Sequence, residues 1–282
     1  MSPSLALPLE VHAPLERYLF EHLELPILPE AAARILALCE DGNSDARDIQ
    51  AVLERDPALA SHVLRIANSA MFAPIEPIVS LQQAVSRLGM TAIRNLALAV
   101  SLQGRLFCSK QHEELTRQMW AHSALTAVYA REVARRLRRN GEVAFLWGLM
   151  HDVGRPLVLQ AAIEKPELLA VDGEPVRLLE AAMDVFHAPV GSHLVKAWGL
   201  PTSISAVVAS HHDPATAQEH VREARILRLA DVLAHWALEE ALDAEDFPRD
   251  EPEIAGLGLT DGDVSVLLGL RQQVLTWALA FG

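Results

Sequence analysis

The sequence predicts an all-α protein built as a multi-helix bundle, and three observations lead to this prediction. The chain is 51% hydrophobic but only 5% aromatic, and its abundance of leucine and alanine favours helices over sheets. Apolar residues recur at intervals of three and four positions over most of the chain. Capping residues, prolines and glycines divide this pattern into short segments, and no part of the sequence indicates a sheet.

The first half is expected to consist of short helices that follow an amphipathic leader over residues 1–25. Each predicted helix begins with a side chain that can accept a backbone hydrogen bond, or with a proline suited to the first turn. An apolar stripe then follows. In chain order these starts are Pro29, Ser44 or Asp45, Asp56-Pro57, Ser80 and Thr91.

The second half is expected to contain longer helices. The predicted segments run from Glu113 to Asn140-Gly141, over residues 142–155, from Pro175 towards His187, onward from Pro189, over 203–212 after a cap at Thr202, and from Arg222 to Leu238. We therefore expect four regions, which are a leader (1–17), an N-terminal helical half (18–110), a second helical half packed on it (111–240) and a C-terminal helical tail (241–282).

Charge, cysteine content and hydropathy limit which partners and which cellular compartment the sequence predicts. The formal net charge of -13 argues against nucleic acid or an anionic membrane as a partner, and the basic run Arg131–Arg139 is interpreted as a solvated helix face. Cys39 and Cys108 lie among apolar neighbours and are interpreted as small core residues. No signal peptide opens the chain and no apolar run approaches the roughly 18 residues of a membrane span, so we expect a cytoplasmic protein.

Five helical segments place histidine or aspartate where an apolar helix ends or faces inward. These residues are His122, His151-Asp152, His187, His211-His212 and Asp231. Imidazole and carboxylate ligands suit one or two divalent ions of Mn, Fe, Ni, Co or Zn. Neighbouring side chains on a helical turn point about 100° apart, so His151 and Asp152 can approach one ion from two sides while the second carboxylate oxygen binds another. Two such ions would activate a water molecule and bind a phosphoryl group.

Each candidate ligand also has a simpler interpretation. The alternatives are a hydrogen-bonded role for His122, a cap or loop role for His187, a helix C-terminal role for His211-His212, and pairing of Asp231 with Arg228 or His235. The doublet His151-Asp152 is harder to explain in this way, because an aspartate at a helix C-terminus faces the negative end of the helix dipole. The remaining histidines are assigned structural or surface roles, and they are His12, His22, His62, His112, His193, His220 and His235.

The order of these motifs resembles the HD superfamily of metal-dependent phosphohydrolases, and more specifically the HDOD domain, the HD-related output domain of bacterial signalling proteins. The first half contributes Leu25-Pro26-Ile27-Leu28-Pro29, Asp56-Pro57-Ala58-Leu59 and Ala67-Asn68-Ser69-Ala70 to this resemblance. The second half contributes Trp120-Ala121-His122-Ser123, the run from Gly148 to Gly154, and Trp198-Gly199-Leu200-Pro201. The resemblance covers residues 18–240 and implies an N-terminal helical subdomain packed on an HD-type helical subdomain.

The resemblance also implies two metal positions and two functional hypotheses. By position, His122, His151, Asp152 and Asp231 match the first metal site of the family, whereas Asp152, His187, His211 and His212 match the second. The family implies a non-catalytic regulatory output module that binds a signalling protein or a small-molecule or nucleotide ligand. The alternative is a metal-dependent phosphohydrolase or phosphodiesterase acting on a nucleotide, in which Asp152 and Arg155 are the catalytic residues. A third hypothesis is a structural scaffold with an empty pocket.

Three departures from the related HD-GYP pattern limit the enzymatic hypothesis. Arg155 replaces the usual lysine of His-Asp-x-x-Lys, which keeps the positive charge but changes the donor geometry. Gln118 replaces a glutamate that supplies a third metal in some relatives. Asp213-Pro214 follows the histidine doublet and no Gly-Tyr-Pro segment is present, so hydrolysis of cyclic-di-GMP is not expected. The sequence leaves the oligomeric state open.

Overall fold

The computed structural model describes residues 7–69, 72, 74–170, 175–239 and 241–279. None of these residues lies in a β-strand, so the predicted all-α fold is confirmed. The N-terminal helices are α1 (Leu9–Arg17), α2 (Glu30–Glu40), α3 (Ala46–Leu53), α4 (Pro57–Ala67), α5 (Leu81–Leu88) and α6 (Met90–Leu106). The next are α7 (Glu113–Arg136), α8 (Gly141–Met150), α9 (Gly154–Glu164), α10 (Pro175–Ala197), α11 (Thr202–Ser210) and α12 (Val221–Leu238). The C-terminal tail contains α13 (Pro252–Leu257), α14 (Asp261–Gly269) and α15 (Arg271–Leu279).

Backbone hydrogen bonds to capping side chains confirm three predicted helix starts. Asp45 caps α3, Asp56 caps α4 and Ser80 caps α5, as expected for side chains that accept from the free N–H groups of a first turn. Four predicted starts were wrong by one residue. Helices α6 and α12 begin at Met90 and Val221 instead of Thr91 and Arg222. Pro29 immediately precedes α2 instead of lying in its first turn, and Thr202 is the first helical residue of α11 instead of its cap.

The described part of the leader packs on the rest of the protein. Helix α1 continues directly into one π-helical turn, Tyr18–His22, across the expected boundary between residues 17 and 18. Val11 and Leu15 are fully buried, and the Tyr18 hydroxyl donates to a carboxylate oxygen of Glu164 over 2.7 Å. The first six residues of the predicted leader lie outside the described residues.

Helix α7 lies at the centre of the structure. It packs on α8 and α12 and also contacts α14 and α15 of the tail. The N-terminal helices join the same core through α6, where the Asn95 side chain donates to the backbone oxygen of Glu142 over 2.8 Å. Trp198 makes a second connection, since its indole N–H donates to the backbone oxygen of Pro26 over 2.7 Å. The two halves therefore share one continuous hydrophobic core.

Helix α10 corrects the prediction that a new segment begins at Pro189. The helix continues through this proline, so His187 lies inside a helix and not before a helix start. A proline lacks the N–H that an internal helical position needs and usually marks a boundary. Here α10 packs along both α9 and α11, and this tertiary packing overrides the local preference.

Two predictions about individual side chains are also wrong. Arg131 departs from the solvated face predicted for Arg131–Arg139, because only 2% of its surface is exposed, and its guanidinium lies 5.5 Å from the ring centre of Phe72. The other arginines of this run are exposed as predicted. Cys108 is exposed, since it lies in the segment that follows the end of α6. Among the helices of the described residues, none combines the length and the apolar character needed to span a membrane.

Candidate metal centre

The His151-Asp152 doublet lies in a tight turn between α8 and α9. A glycine in each of these two helices permits close contact with a neighbouring helix. Helix α8 ends at Met150, and α9 begins at Gly154. Gly148 lies against α7, where an added Cβ atom would be 2.5 Å from the Cα atom of Ala127. This close approach of α8 to α7 brings His151 to His122.

Gly154 positions the other side of the doublet. An added Cβ atom at this residue would overlap the carbonyl oxygen of His187 on α10. Only glycine permits so close an approach between the start of α9 and the middle of α10. The two glycines therefore place the turn that carries Asp152 between His122 on one side and His187 on the other.

Four of the predicted ligands converge in what we call the first site, which consists of His122, His151, Asp152 and Asp231. The Nε2 atom of His122 lies 3.2 Å from that of His151 and 3.0 Å from Oδ1 of Asp231. The Oδ2 atom of Asp152 lies 3.8 Å from the Nε2 atom of His122 and 3.6 Å from that of His151. All four side chains are buried.

The second site, which consists of His187, His211, His212 and Asp152, lies on the opposite side of the shared carboxylate. The Nε2 atom of His187 is 3.3 Å from that of His211 and 2.8 Å from that of His212. It is also 3.4 Å from Oδ1 of Asp152. Asp152 thus offers one carboxylate oxygen to each site, so the structure brings all seven predicted ligands together in one cluster.

Hydrogen bonds on the outer edges of three imidazoles fix their tautomers. The Nδ1 atoms of His151, His187 and His211 lie 2.7, 2.6 and 2.7 Å from the backbone oxygens of Gly148, Met183 and Val208, respectively. A carbonyl oxygen only accepts hydrogen bonds, so each Nδ1 carries the proton and each neutral ring presents an unprotonated Nε2 to the cluster. This is the orientation in which histidine binds metal ions in proteins, and these residues therefore fit a metal centre.

Burial keeps the second-site imidazoles neutral. It lowers the pKa of His187 to about 3 and the pKa values of His211 and His212 to about 4, because a buried charge is poorly solvated. Burial lowers the pKa of His151 as well. Neutral rings are the form that binds metal.

The two aspartates remain charged despite their burial. Burial alone would raise the pKa of Asp152, but His151 and Arg155 outweigh this effect and hold it well below the ordinary value. For Asp231, the hydrogen bonds from His122 and His235 outweigh the same effect of burial on its pKa. Both carboxylates are therefore available as anionic ligands at neutral pH.

Three further side chains support the aspartates. Arg155 donates from Nε to Asp152 over 2.8 Å, and its Nη1 atom lies 3.1 Å from Asp184. On α12, Arg228 donates to Oδ2 of Asp231 over 2.8 Å, and Nδ1 of His235 lies 3.0 Å from Oδ1 of the same residue. From the sequence, Arg228 and His235 were predicted only as alternative partners of Asp231. Their positions three residues before and four residues after it, on one helix face, are the signal that could have included them in the site.

The cluster is open on one side. The side chain of His235 is 67% exposed, and the side chains of Arg228 and Arg155 are 27% and 22% exposed. His212 is also exposed, whereas His151 and Asp231 are buried. A ligand can therefore approach the two sites from the side where α11 ends and α12 passes.

A separate groove of about 1260 Å³ lies between the N-terminal helices, the first half of α7 and α15. Its lining includes Leu59, Phe107 and Trp120, but none of the seven predicted ligands. Ala121 lines the groove and is adjacent in sequence to His122, so α7 contributes to both the groove and the cluster of predicted ligands.

Comparison with known proteins agrees with this architecture. The HDOD domain family matches residues 25–214, which is more than half of the chain. The chain belongs to the HDOD family. The matched range ends before Asp231, the last predicted ligand of the first site, and that residue joins the cluster through the packing of α12.

Two solved structures share the HDOD fold over nearly the whole chain. A Shewanella amazonensis protein, provisionally described as a metal-dependent phosphohydrolase, has a TM-score of 0.77 at 21% identity, with 97% of this chain and 99% of that chain covered. An HDOD domain protein of unknown function from Geobacter sulfurreducens has a TM-score of 0.66 at 22% identity, with 95% and 96% covered. At these identities the similarity establishes the fold alone.

A third relative is similar in sequence. An uncharacterized protein from Treponema pallidum is 28% identical over 206 residues, which cover 71% of this chain and 40% of that protein. The HDOD chain thus spans less than half the length of this relative.

Proposed function

We propose that this HDOD chain binds two divalent metal ions and uses them to hydrolyse a phosphoester. The observation that carries the proposal is the position of Asp152, which directs one oxygen to each of two groups of inward-facing imidazoles. The Nε2 atoms of His187 and His211 lie 3.3 Å apart, and both could donate a lone pair to the same cation.

The open side of the cluster favours a catalytic centre over a structural metal site. Structural sites are closed by protein ligands, whereas catalytic sites keep a position for water and substrate. The exposed edges of His235 and Arg228 line such an approach. When bound, two divalent ions would lower the pKa of a water molecule and offset the charge of a phosphoryl group.

The residues of the chain would have separate roles in this function. Asp152 would hold both ions, and the other predicted ligands would complete the two sites. Arg155, whose guanidinium is fixed between Asp152 and Asp184, would orient the phosphate with a remaining N–H group.

Metal content and turnover test the proposal together. The protein is purified without chelator, its bound metals are quantified, and hydrolysis of p-nitrophenyl phosphate and bis-p-nitrophenyl phosphate is measured with added Mn or Ni. We expect two ions per chain and turnover that is lost in Asp152→Asn and kept in Asp250→Asn, a control that removes an exposed aspartate. A protein that stays free of metal and inert under these conditions would contradict the proposal.

The groove supports a second candidate function, a regulatory module that binds a small ligand or a signalling partner without turnover. Its volume of about 1260 Å³ exceeds that of most small-molecule sites, and it lies where the N-terminal helices meet α7 and α15. If the metal-loaded protein is inert towards both phosphoesters, ligand binding here becomes the better explanation. Fluorescence of Trp120 during titration with candidate ligands, with Trp120→Phe as the control, tests it directly.

A further inference from the structure

Arg228 has fewer partners among the described residues than Arg155, the other arginine of the cluster. A guanidinium has five N–H donors, and Asp231 is the only hydrogen-bond or ion-pair partner of Arg228 among the described residues. Arg155, in contrast, contacts both Asp152 and Asp184. Arg228 is also 27% exposed, so its remaining donors lie on the open side of the cluster.

Arg228 lies beside the first metal position. It binds Asp231 of the first site directly over 2.8 Å. A ligand that contacts the first-site ion from the open side would therefore pass beside Arg228.

The charge of the metal-loaded centre favours a doubly charged ligand. Before metal binding, the negative charges of Asp152 and Asp231 are balanced by Arg155 and Arg228, with which they form ion pairs. Two divalent ions would leave an excess of four positive charges, which the exposed Asp184 beside Arg155 reduces to three. A phosphomonoester, which carries close to two charges above its second pKa of about 6, offsets this excess better than a singly charged diester.

From these contacts and charges we infer that Arg228 binds the terminal phosphate of the ligand and makes the centre selective for phosphomonoesters over phosphodiesters. This inference rests on the proposed function, since it requires metal ions in both sites. The guanidinium would donate to a phosphate oxygen while keeping its bond to Asp231, and charge-assisted bonds of this kind are among the strong ones in proteins.

Two hydrolysis-resistant probes test the inference by calorimetry on the Mn-loaded protein. Phenylphosphonate is a dianion at a pH of about 8.5, whereas its monomethyl ester is a monoanion of nearly the same shape. We expect the wild-type protein to bind the dianion more tightly. Arg228→Gln should weaken dianion binding by about 10- to 100-fold, as for loss of one charged hydrogen bond, and monoanion binding by less than about 3-fold.

Two further variants make the result decisive. Arg228→Lys keeps the charge and should recover part of the dianion affinity, and Arg222→Gln, which removes an exposed arginine of the same helix, should bind like the wild type. Equal binding of the dianion by Arg228→Gln and wild type would overturn the inference. So would loss of Mn from Arg228→Gln, because Arg228 would then act only by positioning Asp231. Failure of the wild type to bind Mn would instead overturn the proposed function.

Discussion

The two halves of the centre differ in ligand chemistry although they share Asp152. The first site combines two imidazoles with two carboxylates, and Arg228 and His235 hold one of those carboxylates in place. The second site has three imidazoles and a single carboxylate oxygen. Carboxylates favour harder ions such as Mn, and imidazoles favour Zn, Ni or Fe. The comparison therefore predicts two unequal metal positions.

Removing one ligand from each site gives the largest expected effect. His151→Ala should weaken binding of the first-site ion by more than about 100-fold, beyond the 10- to 100-fold typical of residues that only support a ligand. His211→Ala should do the same for the second-site ion alone. Calorimetric titration of Mn and Zn into each variant separates the two sites. Loss of both ions from both variants would show that the sites are not independent.

Substitution of Gly154 should disturb the second site through the backbone. Gly154→Ala introduces a Cβ atom that overlaps the carbonyl oxygen of His187. We expect the free energy of unfolding to fall by about 3 kcal/mol, the upper range for overpacking. Gly104→Ala is the matched control, because a Cβ atom there meets nothing within 4 Å and should stabilise α6 slightly. Urea denaturation of the metal-free proteins measures both changes. Equal stability of the two variants would contradict the close approach of α9 and α10.

Acid should destabilise the metal-free protein through the second site. The pKa values of His187 and His211 are lowered to about 3 and about 4, so unfolded chains take up protons below a pH of about 6.5 while folded ones do not. The stabilising contribution is therefore complete above that pH and lost as the pH falls towards 4. We expect a loss of about 2 kcal/mol per pH unit in this window, measured by urea denaturation at pH about 7, 6 and 5. His187→Gln should reduce the slope, and an unchanged slope would contradict the assignment.

Loss of His235 should have the smallest effect and act on the first site alone. His235→Ala removes the bond from Nδ1 to Asp231, and we expect affinity for the first-site ion to fall by about 10-fold, as for a residue that supports a ligand. His62→Ala on α4 provides the control. If His235→Ala instead abolishes first-site binding, His235 is itself a ligand and the site is larger than predicted.

The fold class and the candidate ligands could be predicted because the sequence signals that indicate them are local. Apolar stripes and caps such as Asp45, Asp56 and Ser80 act within a few residues, and they define the starts of α3, α4 and α5 correctly. The doublets at 151–152 and 211–212 were conspicuous because polar pairs rarely follow buried apolar helices without partners. Where tertiary packing opposed a local preference, as at Pro189 and Arg131, the predictions were wrong.

What the sequence by itself determined is therefore the helical fold class, several helix starts and the seven side chains that suit metal ions. The tertiary structure decided which of those side chains share an oxygen of Asp152, that Arg228 and His235 join them, and which side of the cluster is open. Residues 122 and 231 are far apart in the chain, and their 3.0 Å contact depends on how α7, α8 and α12 pack. The glycines at 148 and 154 permit that packing by bringing helix backbones together. The neighbour that each glycine meets lies in another helix, which no local sequence pattern specifies.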